Sequence, residues 1–94
     1  MKKIKYSQEK NNRLKKERSI SFEDVLVCLD NGNLLDDIKH PNKKEYSNQK
    51  MLVLLIKNYI YLVPYIENDE EVFLKTIIPS RKMTKIYLKG NKNA

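Results

Sequence analysis

Three short stretches of the chain hold the side chains most able to do chemistry. The first is PSRKMTK, where Ser80, Arg81, Lys82 and Lys85 open an amphipathic run that contains no acid. A helix N-terminus already carries partial positive charge and unpaired N–H groups, so each cation in its first turn costs about 0.3 kcal/mol or more. That cost makes sense if an anion binds. The cap hydroxyl, free N–H groups, guanidinium fork and ammonium would then converge on one phosphate. The alternative is that Arg81 and Lys82 extend into solvent and are tolerated. The second stretch is KHPNKKE, which holds His40, the only histidine, with Lys43, Lys44 and Glu45 close behind. An imidazole titrates near neutrality and suits proton transfer, although a lone loop histidine is more often incidental. Glu45 among lysines reads equally as a base or as a salt-bridge partner. The third is Tyr65, which follows Pro64 at a strand end and either presents its hydroxyl at a sheet edge or lies half in the core.

Other chemistries are excluded by what is missing. No group of Cys, His and carboxylates stands at ligand spacing, so no metal or other cofactor is expected. Two glycines cannot build a dinucleotide-binding or P-loop motif. Cys28 lies among Leu and Val and reads as core. As the only cysteine it rules out an internal disulfide and points to a cytoplasmic protein.

The net charge is +7, and its distribution is polarised. Residues 1–20 carry eight Lys/Arg and two Glu, and residues 75–94 carry six Lys/Arg and no acid. The segment between them holds ten Asp/Glu against five Lys. If the two basic ends meet in space, they form a positive face that attracts polyanions. The plainer reading is that the lysines keep a small protein soluble. MLVLLI, the longest apolar run, is far short of the ~20 residues a bilayer needs, so no membrane span is expected. The basic N-terminus also lacks the apolar stretch of a signal peptide. The length suits one domain over residues 1–94, with about 90–94 as a frayed tail.

These residues need elements to position them. Ile4–Tyr6 is expected as a short strand. Ser7 caps a polar helix over Gln8–Arg18, whose one apolar anchor is Leu14. Its cations Lys10, Arg13, Lys15 and Lys16 are therefore solvated or face a ligand. Ser21 and Asp24 form a capping box for a helix over Phe22–Asp30, with Ile20 and Val25 as its hydrophobic staple. Phe22, Val25, Leu26 and Leu29 share its apolar face, and Asn31–Gly32 ends it. An extended segment over Leu34–Lys39 follows. Met51–Ile56 and Tyr59–Val63 form a hairpin through Lys57–Asn58, and Pro64 implies an edge or bulge. Val72–Ile78 is apolar on both faces, as in a central strand. Ser80 caps a last helix over Arg81–Lys89, closed by Gly90, with Met83, Ile86 and Tyr87 turned inwards. The fold class is α+β: a meandering antiparallel sheet of about four main strands, two N-terminal helices and a short C-terminal helix packed against it.

The basic first helix, the SFED helix start, LLDDIKH, the apolar hairpin and FLKTIIPSRKMTKIY together resemble the BrnT family of type II toxin–antitoxin toxins, which have the RelE-like ribonuclease fold. Ile77, Ile78, Ser80 and Arg81 match that family's usual strand ending, with Pro79 in place of a small residue. Lys82, Lys85 and Tyr87 stand in for the basic and aromatic positions of its last helix. Glu17-Arg18-Ser19 replaces the usual Lys-His-Gly, and a Gly-rich loop before the long strand is absent. The resemblance implies a metal-independent endoribonuclease that arrests translation. Its partners would be RNA and a DNA-binding antitoxin encoded beside it, which neutralises it in a hetero-oligomeric complex. On that reading Arg81 grips the phosphate, Lys82 and Lys85 assist, and Ser80 orients it. His40 or Tyr65 moves protons, and Lys10, Arg13, Lys16, Lys43 and Lys44 hold the RNA backbone. The residues also fit a non-catalytic RNA- or protein-binding module, in which Tyr59, Tyr61 and Tyr65 could stack on bases. They fit a decayed toxin that only pairs with its antitoxin as well.

Overall fold

Ser7 opens the first helix as its composition dictates. The Ser7 hydroxyl accepts from the Lys10 N–H at 3.1 Å, and α1 runs over Gln8–Arg18 until Ser19 turns left-handed at φ 54°. In the computed structural model, which describes residues 2–39, 44 and 49–92 (the last four by backbone alone), α1 rests on a polar contact as well as on Leu14. Asn11 is fully buried, and its carbonyl accepts from the Phe22 N–H at 2.7 Å. Its amide donates to Glu23 Oε1 at 2.9 Å. Phe22 is the first residue of α2, Phe22–Asp30, so Asn11 takes up one of the donors a helix start leaves unpaired.

α2 carries both bonds of the capping box: Asp24 N–H to Ser21 Oγ at 3.2 Å and Ser21 N–H to Asp24 Oδ2 at 3.0 Å. Phe22, Val25 and Cys28 are its buried residues, while Leu26 and Leu29 are half-buried, so the apolar face is turned slightly from the expected one. The helix ends in a Schellman motif. Gly32 adopts φ +74°, its N–H reaches the Leu29 carbonyl, and the Asn33 N–H reaches that of Cys28.

Six strands form one sheet among the described residues, two more than expected. They are β1 (Lys3–Tyr6), β2 (Leu34–Lys39), β3 (Lys50–Ile56), β4 (Tyr59–Glu67), β5 (Glu71–Leu74) and β6 (Ile78–Pro79). The order is β1-β5-β4-β3-β2, with β6 also on β4. β1 runs parallel to β5, whereas every other pairing is antiparallel, so the sheet is mixed. The β3–β4 turn is Lys57–Asn58, at φ 52° and 63°, as a two-residue hairpin requires.

β4 runs past Val63, where a stop was expected, and the expected strand over Val72–Ile78 is split into β5 and β6. Pro64 accounts for both differences. Its carbonyl accepts from the Lys75 N–H at 2.8 Å, so its donorless nitrogen faces the same side, where β5 has ended and β6 has yet to begin. The proline therefore costs β4 no ladder bond, and residues 75–77 leave the ladder opposite it.

One core joins Leu14, Ile20, Phe22, Val25 and Cys28 to Leu52, Leu54, Ile56, Val63, Tyr65, Leu74 and Ile77. Fully burying a side chain such as Phe22 or Leu54 stabilises by about 1.5–3 kcal/mol. The alternate residues Met51, Val53 and Ile60 are buried on the opposite face of the sheet. α3 (Arg81–Lys92) docks on β4 there, and it continues through Gly90, which was expected to close it. A glycine inside a helix costs only about 1 kcal/mol relative to alanine. Met83, Thr84, Tyr87 and Leu88 form the half-buried face of α3, while Ile86, expected inside, is 56% exposed.

Candidate nucleic-acid interface

The cationic start of α3 is held firmly on the sheet. The Ser80 N–H donates to the Ile60 carbonyl at 2.9 Å, and the Ser80 hydroxyl caps the helix by accepting from the Met83 N–H at 3.2 Å. Thr84 Oγ1 donates to the Ser80 carbonyl at 2.7 Å and accepts from the Ile60 N–H at 2.9 Å. One turn of α3 is thus bolted to the first residues of β4. This leaves Arg81, Lys82 and Lys85 exposed on the outer side, with no carboxylate at ion-pair distance among the described residues. The Ser80 hydroxyl proton stays available to donate, because capping uses an oxygen lone pair.

The first helix meets this segment through a residue the pattern of lysines does not single out. Arg18 Nη1 donates to the Ile77 carbonyl at 2.9 Å. Ile77 lies in the stretch that leaves the ladder between β5 and β6, so its carbonyl is open to a side chain. A signal for this was present in the sequence. Asn11, Leu14 and Arg18 stand at i, i+3 and i+7, on one helical face, and the first two are buried. Arg13 and Lys16 lie on the outer side of α1, where Arg13 is 3.6 Å from Glu9. Lys10 is half-buried, and Lys15 is 3.6 Å from Glu23.

Tyr65 is core. It is 5% exposed, and its hydroxyl lies 2.7 Å from both carboxylate oxygens of Asp37, reaching across β3 to β2. Burial first, and then the Asp37 carboxylate, push its pKa well above the usual tyrosine range. The hydroxyl ties two strands together and is a poor proton donor at neutral pH. Tyr59 and Tyr61 stand edge to face at 5.7 Å, and Tyr61 packs on the core. Lys44 is exposed in a turn, whereas His40, Lys43 and Glu45 lie outside the described residues.

Concavities among the described residues lie away from the start of α3. One of about 250 Å³ opens between α2 and the β3–β4 hairpin and is lined by Val27, Cys28, Leu55 and Lys57, among others. Burial raises the Cys28 thiol pKa, which suits packing rather than reactivity. A second lies beside Lys2, Lys3 and the acidic turn at Asp69–Glu71. Neither is lined by Arg81, Lys82 or Lys85. Among the described residues no three His, Cys, Asp or Glu side chains are placed to hold a metal ion. Nor, among them, is any helix long and apolar enough to cross a membrane.

What the surface can do chemically is hold an extended polyanion. Exposed cations from α3 and the last turn of α1 accompany the Ser80 hydroxyl, which can donate its proton. No family model matches the chain, and no curated protein or solved structure compared with it gives a match.

Proposed function

We propose that the protein is a BrnT-like toxin of a type II toxin–antitoxin system. It is a metal-independent endoribonuclease of RelE-like fold that cleaves RNA, arrests translation and is neutralised by a DNA-binding antitoxin. The observation that carries the reading is the Arg18–Ile77 bond, which joins the basic end of α1 to the segment leading into Ser80 and Arg81. The two basic ends of the chain thereby adjoin around cations without acidic partners among the described residues.

The reaction needs little from the protein beyond charge and proton handling. The ribose 2′-oxygen attacks the adjacent phosphorus, the bond to the 5′-oxygen breaks, and a cyclic phosphate and a 5′-hydroxyl form. Arg81 grips two non-bridging oxygens with its fork as negative charge grows in the transition state. Lys82 and Lys85 add to the field, and Ser80 donates its hydroxyl proton to the phosphate. His40 takes the proton-transfer role, since the Tyr65 hydroxyl is committed to Asp37.

The test is induced expression. Arg81→Ala should relieve growth arrest and abolish cleavage of a labelled RNA by substoichiometric protein in chelator, with unchanged thermal unfolding. An Arg81→Ala protein that stayed fully toxic at equal expression would overturn the assignment. The committed Tyr65 hydroxyl favours a second reading, a basic RNA-binding module without catalysis. That module would retard the labelled RNA and never shorten it. A decayed toxin would be inert alone yet would still form a tight complex with the product of the adjacent gene.

A further inference from the structure

We infer that Arg18 is a second phosphate-binding residue of this surface, held in place by the Ile77 carbonyl and working on the same RNA strand as Arg81. The inference rests on the RNA-directed reading above and adds to it a residue outside the lysine stripe. A guanidinium offers five N–H donors, and Arg18 uses one of them on Ile77. No carboxylate lies at ion-pair distance from it among the described residues, so its charge and remaining donors are open to a ligand. Of the other α1 cations, Arg13 faces Glu9 and Lys15 faces Glu23, while Lys10 and Lys16 also have no carboxylate partner among the described residues but lack the anchor on Ile77.

Placement supports the pairing with Arg81. Ile77 and Arg81 are four residues apart, so their Cα atoms lie no more than about 14 Å apart, a span that a few successive phosphates of one strand can cover. A planar fork anchored at one corner loses less freedom on binding than a loose lysine, so it fixes register as well as adding charge. The break that Pro64 imposes on the ladder frees the Ile77 carbonyl, and that carbonyl orients the cation.

The bond to Ile77 is structural as well, so the test must separate the two roles. Three variants do this: Arg18→Ala, Arg18→Gln, which keeps a donor for Ile77 without the charge, and Arg18→Lys, which keeps the charge. Binding of a fluorescein-labelled, mixed-sequence single-stranded RNA is followed by anisotropy over a salt series, with thermal unfolding in parallel. Arg18→Ala and Arg18→Gln should both bind about tenfold more weakly at low salt, and their slopes of log affinity against log salt should shrink by about 0.7. Arg18→Lys should restore the slope. A glutamine variant that binds like the parent would overturn the inference and leave Arg18 a structural tie. A parent protein that neither binds nor cleaves RNA would overturn the functional reading itself, and this inference with it.

Discussion

Replacing Asn11 with alanine tests the joint between α1 and α2 directly. The Asn11 carbonyl is the partner of the Phe22 N–H, and both residues are fully buried. Leaving that donor unpaired costs about 1–3 kcal/mol. The second bond lost, to Glu23, ends on an exposed carboxylate that water can serve, so it adds little. Alanine is the better helix former and gives back about 0.5 kcal/mol. The net loss is about 2 kcal/mol, a fall in Tm of about 8–16 °C for a domain of this size. Thermal and urea unfolding followed by circular dichroism measure it, with Asn12→Ala as the control. Asn12 is exposed on the same helix and should change stability by about 0.5 kcal/mol or less. The pH dependence gives a second readout. The Asn11 amide, the first of several causes, holds the Glu23 carboxyl below its ordinary 4.5. A depressed carboxyl contributes stability present above the ordinary value and lost as pH falls through the lowered one. Acid should therefore weaken the parent more than Asn11→Ala. If the two alanine variants melted within about 0.5 kcal/mol of each other, the reasoning would fail.

Other substitutions probe the remaining joints. Tyr65→Phe removes the tie to Asp37 and should cost about 1 kcal/mol in urea unfolding, since exposed Asp37 regains water. The raised Tyr65 pKa contributes stability that is complete below the ordinary value of 10.0 and is lost as pH rises towards the folded value. Alkaline unfolding should thus be shallower in Tyr65→Phe than in the parent. Thr84→Val keeps the side-chain shape but leaves the Ile60 N–H without its acceptor, at about 1–3 kcal/mol. Amide exchange at Ile60 should speed up accordingly, and slow exchange there in the variant would show that α3 docks by other contacts.

The elements that sequence reasoning placed well are those that carry their own instructions. Ser7 and Ser21 fix helix starts, Gly32 ends α2 with a backbone only glycine adopts freely, and Lys57–Asn58 turns the hairpin. What escaped depends on residues far apart in the chain. The parallel partnership of β1 with β5 is set by register across most of the sequence. The break after Leu74 follows from Pro64, which acts on a strand ten residues later. In the candidate site, Ser80 and the exposed cations of α3 were legible because helix capping is local. Tyr65 could be resolved between edge and core only once Asp37 was seen across β3. Arg18 was overlooked because charge counting favours runs of lysine, whereas its significance lies in the helical face it shares with Asn11 and Leu14.

The placement of β1 has a consequence for how the chain acquires its shape. Lys3 is matched with Glu71 and Tyr6 with Leu74, so β1 has no partner in the sheet until residues 71–74 have left the ribosome. Until then its exposed backbone donors and acceptors can pair only with water or with other chains. Completing the sheet means closing a loop of some seventy residues, a step whose entropy grows with the logarithm of length. β1 should therefore join the sheet late, after the β3–β4 hairpin has recruited β5.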